Sequence, residues 1–135
     1  MEQRPLIDRM SVQDVDQLSL EQLLSSTQKV VVVEFYLPDC PICQELAPVL
    51  EALSKELDDE AVFTKVNAED NLELAIQYGV LVTPTIKMFC GQSFRGEIVG
   101  DTNATILRNT VRDVIRHRSC SSAAGKISYE PDGYG

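Results

Sequence analysis

Tryptophan is absent, histidine occurs once, and cations are scarce: 12 Lys and Arg stand against 21 Asp and Glu, a net charge of −9. The shortage of basic side chains argues against nucleic-acid binding, because phosphate contacts need clustered Lys and Arg. A single histidine, His117, gives no case for a hydrolase. No apolar stretch approaches the roughly 20 residues that cross a bilayer, so no membrane partner is expected. The opening Met1-Glu2-Gln3-Arg4-Pro5 lacks the basic-then-apolar order of a signal peptide, and a cytoplasmic location is expected. Four cysteines in such a chain do not suggest a disulfide scaffold, since the cytosol keeps structural thiols reduced.

What is present is enough for one soluble globular domain: 135 residues, 44% of them hydrophobic and 24% charged. The charge is uneven. Residues 1–78 carry 16 acidic and 5 basic side chains, and residues 79–135 carry 5 acidic and 7 basic. Arg108, Arg112, Arg116 and Arg118 recur at near-helical spacing and are expected to form one solvated helix face.

The informative stretch is the run Val30 to Leu37 followed by Cys40-Pro41-Ile42-Cys43. The run is β-branched and aromatic without alternation, as in a strand buried on both sides. Beyond it Leu46, Val49, Leu50, Leu53 and Leu57 recur with helical period. Two thiols therefore sit where a strand ends and a helix begins. There the unpaired N–H groups of the first turn and the positive end of the helix dipole favour a thiolate, the nucleophile of disulfide chemistry. Pro41 suits the first helical position, where its missing N–H costs nothing. These residues read as a dithiol redox site, an expectation that needs the rest of the fold, the alternative being a pair of inert or metal-binding cysteines.

Before the run, residues 1–18 are polar, with Val12 and Val15 suggesting a short edge strand. Ser19 is expected as the N-cap of a short helix, with Gln22 reaching back. The central strand is expected over 29–36 and the dithiol helix to Leu57, with Pro48 inside it at a cost of about 3 kcal/mol that packing must outweigh. Residues 61–67 read as a second strand, parallel to the first through a right-handed crossover. A short helix is expected over 71–78, ended by Gly79. Thr85 to Phe89 and Ser93 to Val99 read as a hairpin turning at Cys90-Gly91-Gln92. The last helix is expected from Thr102 or Asn103 to Arg118, burying Ile106, Leu107, Val111, Val114 and Ile115. Residues 119–135 read as a mobile tail after a domain spanning 1–118.

Over residues 12–118 the chain resembles the thioredoxin family. Glu34-Phe35-Tyr36 resembles the acidic–Phe–Trp ending of the family's central strand, and Cys40-Pro41-Ile42-Cys43 occupies the dithiol position. Ala47-Pro48 resembles the kink proline of the active-site helix. Tyr78-Gly79-Val80 with Thr83-Pro84-Thr85 resembles the segment carrying the cis-proline, and Gly91 and Gly100 match two glycines of the hairpin region. Asp39 stands where the family usually has Trp, Pro41-Ile42 where it has Gly-Pro, Gln44 where it has Lys, and Glu34 where it has a buried Asp.

The resemblance implies an α/β protein of thioredoxin fold, a mixed central sheet with helices on both faces. It implies a protein-disulfide reductase in which Cys40 attacks and Cys43 resolves. Glu34 is implied as the group that takes or relays the proton of Cys43, its carboxyl raised by burial on an apolar strand. Pro84 is implied to be cis and packed against the dithiol. Asp39, Pro41, Ile42, Thr83 and Gly100 are implied as the substrate-binding surface, with the Thr83 backbone accepting an extended segment. The implied partners are disulfide-containing proteins and a thioredoxin reductase-type electron donor, with a monomeric chain and no cofactor beyond the dithiol itself. Three competing readings are an adaptor module without turnover, a glutathione-dependent glutaredoxin-like reductase suggested by Pro41, and a zinc site joining His117 and Cys120 to the dithiol.

Overall fold

A seven-residue strand, apolar except for Glu34, sits at the centre of the molecule. The computed structural model describes residues 12–117. The described elements are β1 (Val12–Asp14), α1 (Gln17–Ser26), β2 (Val30–Tyr36), α2 (Pro41–Glu56), β3 (Ala61–Asn67), α3 (Leu72–Gln77), β4 (Thr85–Cys90), β5 (Ser93–Val99) and α4 (Ala104–Arg116). The strands form one sheet in the order β1-β3-β2-β4-β5. β1, β3 and β2 are parallel; β4 runs antiparallel to β2, and β5, antiparallel to β4, returns in the direction of β2.

β2 lies in the middle and is covered twice, which is why its sequence does not alternate. Val30 and Val32 pack with Leu46 and Leu50 of α2 and with Leu107 and Val111 of α4. Val31, Val33 and Phe35 face the other way, toward Leu20 and Leu24 of α1 and Leu74 of α3. Helices therefore flank the mixed sheet on both faces, as expected. The described elements share this one sheet; the expected tail over 119–135, with Cys120, and Arg118 lie outside the described residues.

Four expectations are corrected. The cap of α1 is Asp16, not Ser19: its Oδ1 accepts the Ser19 N–H, and the Ser19 hydroxyl oxygen accepts the Asp16 N–H in return, each at 3.0 Å. This reciprocal pair starts the helix three residues earlier. Cys90 is not a turn residue but the buried last position of β4, and the tight turn is Gly91-Gln92 with Gly91 at φ 61°. Ile106 is half exposed at 50%, because the buried stripe of α4 is Leu107, Val111 and Val114, and Ile106 sits about 100° away from its start. Arg108 and Arg112 are not simply solvated: both reach Glu56 at the end of α2, Arg108 through two nitrogens at 2.8 and 3.1 Å. Pro48 does not break α2, which is continuous from Pro41 to Glu56.

Candidate active site

The end of β2 and the start of α2 set the two sulfurs one helical turn apart. Cys40 and Cys43 are joined as a disulfide with their Cα atoms 5.2 Å apart. Cys40 is the N-cap of α2, Pro41 is its first residue, and the Cys43 N–H donates to Cys40 Sγ at 3.1 Å. One orphan donor of the helix start is therefore aimed at the first sulfur, where it favours negative charge. Cys40 is half-buried, whereas Cys43 is buried at 5% exposure. The pair is asymmetric: one sulfur faces outward and the other lies in the core. Gln44, the departure from the family pattern beside the second cysteine, donates from Nε2 to the Pro38 carbonyl at 2.9 Å and fastens the loop that precedes the motif.

A second segment meets the dithiol from 43 residues further on. The Thr83–Pro84 peptide is cis, and the Thr83 carbonyl oxygen lies 4.0 Å from Cys40 Sγ. The segment is braced from both sides. The Thr85 hydroxyl donates to the Val82 carbonyl at 2.7 Å, and the Gly100 N–H donates to the Pro84 carbonyl at 2.8 Å. Gly100 has φ 86°, a left-handed conformation natural to glycine, and so turns the chain sharply after β5. Pro84 is buried; Asp39, Pro41 and Ile42 are exposed around the sulfurs. Thus Thr83 lies beside Cys40, and Gly100 is tied by its N–H to Pro84, the next residue of that segment.

Glu34 lies inside the sheet below this rim. It is only 3% exposed, and its Oε2 has no hydrogen-bond partner among the described residues. Burial pushes its carboxyl up to about 7; Lys65 pulls it down and Asp14 pushes it up by lesser amounts. A carboxyl poised there can both hold and release a proton near neutrality.

The sequence reading missed one component. A groove of about 460 Å³ runs beside the cis-proline segment, lined by Leu37, Ala68, Leu72, Val80, Leu81 and Thr83. Leu81 is 93% exposed and Val82 49%. The signal was Val80-Leu81-Val82, an apolar run too short for a buried strand and separated from Pro84 by Thr83 alone. His117 caps the far end of α4, and among the described residues no group of three or more His, Cys, Asp or Glu is arranged to hold a metal.

Comparison with known proteins points the same way. A family model described as Thioredoxin matches residues 11–113. The chain is 28% identical over 106 residues to a thioredoxin of Porphyra purpurea, covering 78% of this chain and 99% of that one. It is 33% identical over 81 residues to thioredoxin 1 of Synechococcus elongatus, covering 60% of this chain and 76% of the relative. Among solved structures, a mutant thioredoxin from Halobacterium salinarum superposes with a TM-score of 0.71 at 31% identity, over 76% of this chain and 89% of the other.

Proposed function

Since the chain belongs to the thioredoxin family and is a thiol–disulfide oxidoreductase that reduces protein disulfides, we propose that Cys40 is its attacking sulfur, Cys43 its resolving sulfur and Glu34 the group that exchanges a proton with Cys43. The observation that carries this reading is the asymmetry of the pair. Cys40 is accessible and receives a helix N–H, while Cys43 is buried behind it.

In the reduced protein the Cys40 thiolate attacks one sulfur of a substrate disulfide. A Cys40–substrate bond forms and the other substrate sulfur leaves as a thiolate. Cys43 then gives its proton to the Glu34 carboxylate and attacks Cys40 Sγ. The Cys40–Cys43 bond forms, the second substrate sulfur departs, and two electrons have passed to the substrate. The substrate strand lies along Thr83, with an apolar side chain in the groove beside Leu81 and with Asp39, Pro41, Ile42 and Gly100 at its edges.

The proposal extends to recharging by a thioredoxin reductase-type donor, to a monomeric chain and to a cytoplasmic location. No helix among the described residues is long and apolar enough to cross a membrane. The test of the chemistry is insulin reduction. Wild type precipitates insulin in the presence of dithiothreitol, Cys40→Ser does not, and Cys43→Ser accumulates a mixed disulfide with substrate. Equal rates for wild type and Cys40→Ser would leave only a binding module.

A further inference from the structure

Three charged residues from three neighbouring strands stand at one level of the sheet. Asp14 on β1 is the register partner of Lys65 on β3, and Lys65 is the register partner of Glu34 on β2. Register partners on adjacent strands, about 4.8 Å apart, direct their side chains to the same face. Lys65 is thus flanked by a carboxyl on either side and can serve either. It serves the outer one. Its Nζ lies 4.0 Å from Asp14 Oδ2 and 5.4 Å from the centre of the Tyr36 ring, while Glu34 Oε2 has no hydrogen-bond partner among the described residues. Asp14 is itself fixed: its other oxygen, Oδ1, accepts the Tyr36 hydroxyl at 3.1 Å. Burial, with Asp14 next, pushes that hydroxyl up to about 12, so it stays a donor at any physiological pH.

We propose that Asp14 is a positioning residue for the proton-transfer step, which draws the Lys65 ammonium to the sheet edge and keeps it from a direct ion pair with the Glu34 carboxyl. This rests on the reading that Glu34 exchanges the proton of Cys43. An ammonium seated on Glu34 would hold it as a carboxylate and make it a weaker base. An ammonium seated on Asp14 and Tyr36 leaves burial as the main influence on Glu34.

The other surroundings of Glu34 leave the choice to these residues. β4 places Ile86 opposite it. α2 and α4 cover this face with Leu46, Leu50 and Leu107, and the cysteine that α2 brings is bonded to Cys40. Glu51 of α2 is engaged elsewhere, with Oε2 accepting the Val12 N–H at 3.2 Å. Asp70 acts on Tyr36 from the loop beyond β3.

The test reads Glu34 directly, by carbon-detected NMR titration of its side-chain carboxyl in the oxidised protein. In Asp14→Asn the midpoint falls by about one pH unit or more, because Lys65 is released to Glu34. In the Lys65→Met background the same Asp14→Asn change has less than half that effect, since only its direct repulsion is lost. Tyr36→Phe, which frees Asp14 Oδ1, moves the midpoint in the same direction by a smaller amount. An unchanged midpoint in Asp14→Asn, or an equal shift with and without Lys65, overturns the proposal. A second readout separates it from the reading it rests on. The pH–rate profile of insulin reduction moves to lower pH together with the Glu34 midpoint. If the midpoint moves and the rate profile does not, Asp14 does position Lys65 but Glu34 is not the proton acceptor for Cys43.

Discussion

The backbone N–H of Cys43 points at the Sγ of Cys40 from 3.1 Å, so the first sulfur of the pair caps the helix that carries the second. A side-chain cap is ordinarily an oxygen of Ser, Thr, Asp or Asn. Here a sulfur holds that place, and in the reduced protein the same N–H is placed to favour negative charge on that sulfur.

The consequence for reactivity is selective. Limiting iodoacetamide added to the reduced protein modifies Cys40 at least tenfold faster than Cys43, because only Cys40 combines access with thiolate stabilisation. Peptide mapping after brief alkylation checks this. Equal labelling of both sulfurs contradicts the assigned order of attack.

Glu34 makes stability depend on pH in a definite direction. Below the ordinary carboxyl value of 4.5, folded and unfolded chains both carry it protonated. Between there and about 7 the unfolded chain releases the proton while the folded chain keeps it, so this residue's contribution falls as pH rises and then levels off. Glu34→Gln removes the slope. Its stability relative to wild type climbs by roughly 3 kcal/mol between pH 4 and pH 8. Urea denaturation across that range is the measurement, and parallel curves for the two proteins contradict it.

The groove separates protein substrates from small ones. Leu81→Asp places a charge where an apolar side chain of the substrate is proposed to lie. KM for insulin rises about tenfold, the cost of losing one well-buried aliphatic contact. Reduction of a small aromatic disulfide, which does not reach the groove, keeps its rate. Equal losses with both substrates remove the groove from the substrate path.

Phe35 tests the second core layer. It is fully buried on the face of β2 away from the dithiol helix, with its ring 5.7 Å from that of Tyr78. Phe35→Ala costs about 3–5 kcal/mol in urea denaturation. Asn103 offers a milder check: its Oδ1 caps α4 by accepting the Ile106 N–H at 3.0 Å, and Asn103→Ala costs about 1 kcal/mol.

The local features of the fold were legible because each has a local cause. The double burial of β2 shows as a run without alternation, α2 as a helical stripe, and the turn of the hairpin as Gly91. Where sequence reading failed, the cause was a partner far along the chain or a choice between neighbours. Ile106 and Leu107 are adjacent and equally apolar, and only packing against the sheet chooses Leu107. Arg108 and Arg112 share a helix face whatever the fold; that the face meets Glu56 depends on how α4 lies across α2.

The amino-acid sequence by itself determined the order of elements, the placing of two thiols at a helix start, and the burial of one acid on an apolar strand. These follow from periodicity, capping and propensity, which act over a few residues. Only the tertiary structure decided that Thr83 comes to Cys40, and that Asp14 rather than Glu34 has the company of Lys65. Both depend on strand order and register, which are set by the packing of the whole sheet.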